Sequence, residues 1–160
     1  MRYLWGLLLG MMLMMSSVAA SEPDYGAKGA IQTPQPTLEQ MLNYAIQDEY
    51  LAKDQYSTIL DAFGKVRPFS NIVEAEKQHI AELQLLFNDR GWDVPEDDSK
   101  QHVVTPKSIP DALKMGQEIE KDNIAMYEHF LRQPDLPEDV KAAFSRLLAG
   151  SQRHLNAFSR

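Results

Sequence analysis

The chain has 160 residues, 23 of them acidic against 16 basic, for a formal net charge of −7, and it contains no cysteine. With that balance and no cluster of Lys or Arg, nucleic acid is excluded as a partner, because nothing could track a phosphate backbone. Without cysteine there is no disulfide, no thiol for lipid attachment and no thiolate ligand, so any metal must be held by oxygen and nitrogen.

At the N-terminus Arg2 is followed by an apolar run from Leu4 to Met15 and by Ser16, Ser17, Val18, Ala19 and Ala20. A charged start, an apolar middle and small residues at the end predict a secretory signal peptide over residues 1–20, cleaved after about Ala20. The alternative is an uncleaved anchor, but the run falls short of the roughly 20 residues a spanning helix needs. Cleavage gives a secreted or periplasmic protein with no membrane attachment, and loss of Arg2 takes the charge from −7 to −8. Residues 21–36 carry Pro23, Gly26, Gly29, Pro34 and Pro36 with little apolar content and are expected to be a disordered tether. The remainder, residues 37–160, suffices for one domain with a single core.

Thr37 with Gln40 is a capping-box signal for a first helix that runs to about Phe63 and stops at Gly64. Ser70 is the expected cap of a second helix, whose pattern continues to Arg90 and ends at Gly91. Trp92 to Ser108, with Pro95, the run Glu96, Asp97, Asp98, and Pro106, reads as a long polar crossover. Ser108 and Pro110 open a third helix ending near Arg132, and Pro134 and Pro137 bracket the turn into a fourth, from about Pro137 to Ser159. Strand patterns are absent. The expected fold is an all-α four-helix bundle made of two helical hairpins joined by the crossover.

Each helix carries a polar interruption in its apolar row. The first row is Leu38, Leu42, Ala45, Glu49, Ala52, Tyr56, Ile59, Phe63, and the second is Ile72, Glu76, His79, Leu83, Leu86. The third is Leu113, Gly116, Glu120, Asn123, Tyr127, Phe130, and the fourth is Val140, Phe144, Leu147, Ser151, His154, Phe158. An unpaired carboxylate in such a core costs several kcal/mol of desolvation, and no Lys or Arg shares these rows. A bound divalent cation is the explanation that covers all four interruptions. The halves also repeat: Glu49 precedes Tyr56 by seven residues and is followed by Glu76 and His79 in E-x-x-H spacing. Glu120 precedes Tyr127 by seven and is followed by Ser151 and His154. Glu49, Glu76, His79, Glu120 and His154 are therefore the candidate metal ligands, because residues three apart share a helix face and can reach one ion pair. Taken alone, each histidine would more often be a satisfied core residue; their symmetric pairing with acids favours ligands. Tyr56 and Tyr127 are expected to be packed tyrosines whose hydroxyls bond ligating carboxylates, with Asn123 and Ser151 beside them. Glu74, Glu82, Glu118 and Glu128 fall off the core rows and are expected in solvent, and neither His102 nor His129 is placed to ligate.

The run Glu49, Tyr50, Leu51, Ala52, Lys53, Asp54, Gln55, Tyr56 is similar to the E-x-x-A-R-x-x-Y helix of rubrerythrin-like proteins. With Glu76 and His79, Ile119 and Glu120, and the ending Ser151, His154, Leu155, Ala157, Phe158, the chain resembles the ferritin-like superfamily. Within it, the chain looks like an uncharacterised bacterial branch, a domain of unknown function with the S-x-x-H-L-x-A-F ending. The resemblance spans about Leu38 to Phe158 and implies a non-haem di-iron or related site, with no assigned reaction. Ser151 removes one carboxylate of the full ligand set and Asn123 stands where an Asp is expected, so one metal position should be weaker.

The resulting expectation is a secreted or periplasmic metal-binding protein, with iron first and manganese or zinc also suited to the donors, reacting with oxygen or peroxide. The rival is a bundle whose metal site is decayed or purely structural and which serves as a binding module. The sequence leaves the oligomeric state, the substrate and any protein partner open.

Overall fold

The computed structural model describes residues 25–160, so the expected signal peptide at residues 1–20 lies outside the described residues. Among the described residues there are five α-helices and no strand: α1 (Gly26–Gln32), α2 (Leu38–Phe63), α3 (Phe69–Asn88), α4 (Ile109–Leu131) and α5 (Glu138–Phe158). A short 3-10 turn, Ser99–Gln101, interrupts the crossover between α3 and α4. No described helix is long and apolar enough to cross a membrane.

The segment expected to be a disordered tether is instead partly helical, and α1 is docked. Its small residues Gly26, Ala27, Gly29 and Ala30 are buried, because without bulky side chains the α1 backbone can lie close to its neighbours. The free N–H groups at its start are taken by α2: Ala27 N donates to Asp48 Oδ1 at 2.9 Å and Gly26 N to Gln47 Oε1 at 3.3 Å. At its other end Thr33 Oγ1 lies 3.2 Å from the Tyr44 hydroxyl, and Thr33 O 2.9 Å from His129 Nε2. Low apolar content is a poor guide here, since side chains elsewhere in the sequence supply the capping.

The first long helix, α2, begins as its sequence dictates, with a reciprocal capping box: Gln40 N donates to Thr37 Oγ1 and Thr37 N to Gln40 Oε1. Its 26 residues make about 39 Å of helix. The start of α3 differs from expectation. Pro68, after a cis Arg67–Pro68 bond, occupies the capping position, and Ser70 lies inside the first turn with its N–H bonded to Val66 O. Proline's fixed φ and missing N–H suit a helix start, so the helix begins ahead of the serine. Ser108 caps α4 with Pro110 in its first turn, and Pro137 precedes α5.

Two helical hairpins, α2 with α3 and α4 with α5, face each other through α2 against α4 and α3 against α5. The crossover is polar but fastened. Gln55 closes a two-way amide clamp on Val104, Asp54 accepts from Ser99 Oγ at 2.7 Å, and Lys53 pairs with Asp97. The apolar core forms two clusters. One includes Leu42, Ile46, Leu83, Phe87, Phe130, Phe144 and Leu147. The other includes Ala52, Tyr56, Ile59, Phe69, Ile72 and Phe158. Between them runs a polar layer.

Gly26 tests the docking of α1. Its φ of +57° is the left-handed region, and a Cβ there would lie 2.6 Å from Asp48 Oδ1 and 3.1 Å from the Asp48 Cα. Gly26→Ala should lower the unfolding free energy by about 1–3 kcal/mol, from backbone strain and overpacking. Urea denaturation of the two proteins measures it.

Candidate metal centre

The polar layer is built from one row of each long helix. Glu49, Glu76 and Glu120 are at most 1% exposed and His154 is 8% exposed, while His79 is largely covered. All five residues singled out in the sequence as candidate ligands meet there.

Two tyrosines fix the acids of α2 and α4. Tyr56 on α2 donates to Glu120 Oε1 on α4 at 2.7 Å, and Tyr127 on α4 donates to Glu49 Oε1 on α2 at 2.6 Å. Seven residues are about two helical turns, or about 10.5 Å of rise. Equal Glu-to-Tyr spacings on two antiparallel helices let both bonds close at once, which is the structural meaning of the sequence repeat. Burial and the neighbouring carboxylates push both phenols well above their ordinary pKa, so they stay protonated as donors.

The E-x-x-H pair of α3 and the lone histidine of α5 complete the layer. His79 Nδ1 lies 2.8 Å from Glu76 Oε2 and 3.1 Å from Glu49 Oε2. His154 Nδ1 lies 3.0 Å from Glu76 Oε1 and 3.5 Å from Glu120 Oε1. The two imidazoles stack with centroids 5.6 Å apart. Gly150 leaves the room for this, since a Cβ there would come within 2.8 Å of the His79 Cε1 and Nε2 atoms.

Donor atoms converge in two groups, Glu49 with Glu76 and His79, and Glu76 with Glu120 and His154. Within each group the atoms lie within 4.8 Å of one another, and Glu76 belongs to both. Several approaches are close in distance but off the hydrogen-bond direction. Both oxygens of Glu76, Oε2 of Glu120 and Nδ1 of His154 are buried without a hydrogen-bond partner. Such orphans are rare in native cores, and each costs about 1–3 kcal/mol or more. Among the described residues, only histidines lie within 4.0 Å of these three acids as cationic partners. Four unpaired atoms of metal-ligating type, brought into one buried layer, fit a divalent cation held by carboxylate and imidazole.

Ser151 and Asn123 do less than their positions suggested. The Ser151 hydroxyl turns back to its own helix, donating to Leu147 O at 3.3 Å. Asn123 is buried with neither amide atom hydrogen-bonded. Because Glu76 is shared, each group still has three residues, and the missing fourth carboxylate does not leave one group smaller than the other. Glu74, Glu118 and Glu128 are exposed, and Glu82 pairs with Arg146. His102 stacks on Tyr25 and His129 meets Thr33, both away from the layer. Sequence reasoning passed over Asp48, which is 4% exposed next to Glu49. It lies on the α1-facing side of α2, so nothing in the core row marks it.

The charges set a pH dependence for the metal-free protein. Burial would lower the His79 pKa, but Glu49 and Glu76 outweigh it and raise it to about 10; for His154, Glu120 and Glu76 raise it to about 9 against the same burial. Burial, then the Glu76 charge, raises Glu49 to about 7, whereas at Glu76 the two imidazoles overcome burial and hold the carboxyl at about 2. The raised histidines stabilise the fold fully below an unfolded value of about 6.5, and this contribution is lost as pH rises through about 9 and 10. Raised Glu49 acts in the same direction from about 4.5 to 7, and depressed Glu76 adds stability that is lost as pH falls towards 2. Denaturant titrations of metal-free protein should therefore find greatest stability near pH 4.5, where Glu76 is ionised and Glu49 still protonated, and a steady fall from there towards pH 10.

Comparison with known proteins gives the chain a family without a function. Over 131 residues it is 31% identical to the uncharacterized protein MJ0754 of Methanocaldococcus jannaschii, covering 71% of this chain and 69% of that one. The crystal structure of hypothetical protein MJ0754 from Methanococcus jannaschii aligns with a TM-score of 0.67 and 29% identity, over 79% of this chain and 81% of that chain. The family described as an uncharacterized protein domain, DUF2202, matches residues 39–160, the whole of α2 to α5 but for Leu38, and the chain belongs to that family.

Proposed function

We propose that this protein is a ferritin-like four-helix bundle that binds one or two divalent metal ions through Glu49, Glu76, His79, Glu120 and His154. In this reading iron or manganese is the resident metal, and oxygen or peroxide is the substrate, met outside the cytoplasm. The observation that carries it is the convergence of buried oxygen and nitrogen atoms without hydrogen-bond partners in two groups that share Glu76. Support for the bundle class comes from two hairpins joined by a long crossover, with acids and E-x-x-H residues on facing helices.

The residues have separable roles. Glu76 presents its two oxygens to different imidazoles and is the residue both metal positions would share. Tyr127 and Tyr56 each occupy one oxygen of Glu49 and Glu120, which fixes the carboxylates; the second oxygen of Glu120 has no hydrogen-bond partner and that of Glu49 meets His79 Nδ1 at 3.1 Å, a contact that an ion between them would replace. Apolar clusters on both sides keep bulk water out, strengthening every charge interaction in the layer. A bound iron or manganese supplies the electron transfer to oxygen or peroxide. Zinc suits the same donors but could not supply it.

A second reading, a decayed site in a bundle that acts as a binding module, is favoured by the Ser151 hydroxyl, which serves its own helix rather than the layer. Elemental analysis of the full chain purified from its native compartment separates the two. About one or two equivalents of iron or manganese support the metalloprotein, and none supports the decayed site.

Removing the metal should lower the melting temperature by on the order of 10 °C, since ligand binding at a hundredfold excess over Kd contributes about 2.7 kcal/mol. A melting curve unmoved by chelation, with metal loss verified, would favour the decayed site. Glu76→Gln should weaken binding on the order of 100-fold and do so for both positions together, because the residue belongs to both groups. Metal titration into apo protein should also release protons, about two per chain near pH 7.5, because both histidines are protonated there and each must lose the proton from its ligating nitrogen. Calorimetry in buffers of different ionisation enthalpy counts them.

A further inference from the structure

The polar layer is closed on most sides and reaches solvent on one. Glu49, Glu120, Tyr56 and Tyr127 are fully buried and Glu76 is 1% exposed, whereas the side chains of His79 and His154 are 13% and 10% exposed. On the α2–α4 side the two tyrosine–carboxylate bonds cross the interface and α1 packs on both helices. Apolar clusters lie on either side of the layer along the bundle. A divalent ion cannot cross those clusters without losing its hydration to groups that return nothing, so its way in lies where the layer meets water.

Both imidazoles sit in the seam between α3 and α5. Arg146 Nε on α5 donates to Glu82 Oε1 on α3 at 2.8 Å, and a Cβ on Gly150 would come within 2.8 Å of His79 Nε2, so the row of Arg146 and Gly150 runs antiparallel to the row of Glu82 and His79. One further helical turn brings Arg153 level with Ala75, which is partly exposed. At the height of the layer the seam is thus bordered by Ala75 and Gly150, which have little or no side chain. The Nδ1 atoms of the imidazoles face inward: that of His79 meets Glu49 and Glu76, and that of His154 is buried. The Nε2 edge of His79 faces Gly150, and the exposed Arg153 guanidinium hangs over the same spot, its Nη2 3.8 Å from where a Gly150 Cβ would lie. Arg90 and Arg146 are paired with carboxylates, but among the described residues none pairs with Arg153. An unpaired cation beside an opening repels a divalent ion.

On the metal-binding reading of the layer, on which this rests, we propose that the α3–α5 seam beside Ala75 and Gly150 is the port by which the metal ion enters and leaves. The ion passes the two imidazoles, and the Arg153 guanidinium guards the port, holding entry slow by repulsion.

Stopped-flow exchange of Mn²⁺ between the full-length chain and a fluorescent chelator measures entry and exit. Ala75→Trp, which fills the seam, should slow both about tenfold or more while the Mn²⁺ bound at equilibrium stays unchanged. Leu51→Trp, in the cleft on the outer side of α2 and α4, should leave both rates unchanged. Arg153→Glu should speed uptake about fivefold at about 10 mM ionic strength, a gain lost at about 1 M, where the screening length falls to about 3 Å. Its exposed position leaves folding intact, so it decides the matter if Ala75→Trp does not fold. Slowing by Leu51→Trp in place of Ala75→Trp would overturn the port, as would Arg153→Glu uptake equal to that of the wild type at low salt. Either result with Mn²⁺ bound at equilibrium removes the port alone; a wild type that binds no Mn²⁺ removes the metal-binding reading and the port together.

Discussion

Three carboxylates buried in one layer, with only two imidazoles to face them, are the constraint to which the rest of the fold answers. Burying an isolated carboxylate costs several kcal/mol even after relaxation, comparable to what one or two fully buried Phe or Leu side chains return, at about 1.5–3 kcal/mol each. The layer of Glu49, Glu76 and Glu120 is therefore tolerable only with apolar packing on both sides and with its lone pairs directed. The tyrosine exchange directs them. Tyr56 to Glu120 and Tyr127 to Glu49 consume one oxygen of each acid and tie α2 to α4, so the same two bonds that anchor these acids also set the helix register.

Around that layer the two halves are similar without being equivalent. Glu76 serves both histidines, which no other acid among the described residues does. At the matching position of the second half Ser151 bonds its own backbone, so the centre is organised about one shared carboxylate instead of two. That asymmetry concentrates the charge of the layer on α3, where burial and imidazole oppose each other most strongly.

The peripheral parts owe their order to α2. Beyond its core row, α2 presents Gln47 and Asp48 to the start of α1, and Lys53, Asp54 and Gln55 to the crossover. One helix thus carries three functions on three faces: the metal-type layer inward, a cap for α1, and an anchor for a connection that has little apolar surface of its own.

The sequence by itself determined the long helices, their capping signals at Thr37 and Ser108, and the rows that face inward, because a 3.6-residue period and local capping chemistry are properties of neighbouring residues. It also marked Glu49, Glu76, His79, Glu120 and His154, since ionisable groups in apolar rows are conspicuous without coordinates. Local signals misled where partners are distant. The segment before Thr37 looked too polar and too rich in Gly and Pro to order, yet α1 docks through small residues and borrows its caps from positions 47 and 48. Only the tertiary structure decided that the repeated seven-residue spacing means a cross-helix exchange, that Glu76 is shared, that Ser151 faces its own backbone, and that Asp48 is buried. Each of these depends on which side chains from separate elements share one volume, and pairings between distant elements leave no periodic trace along the chain.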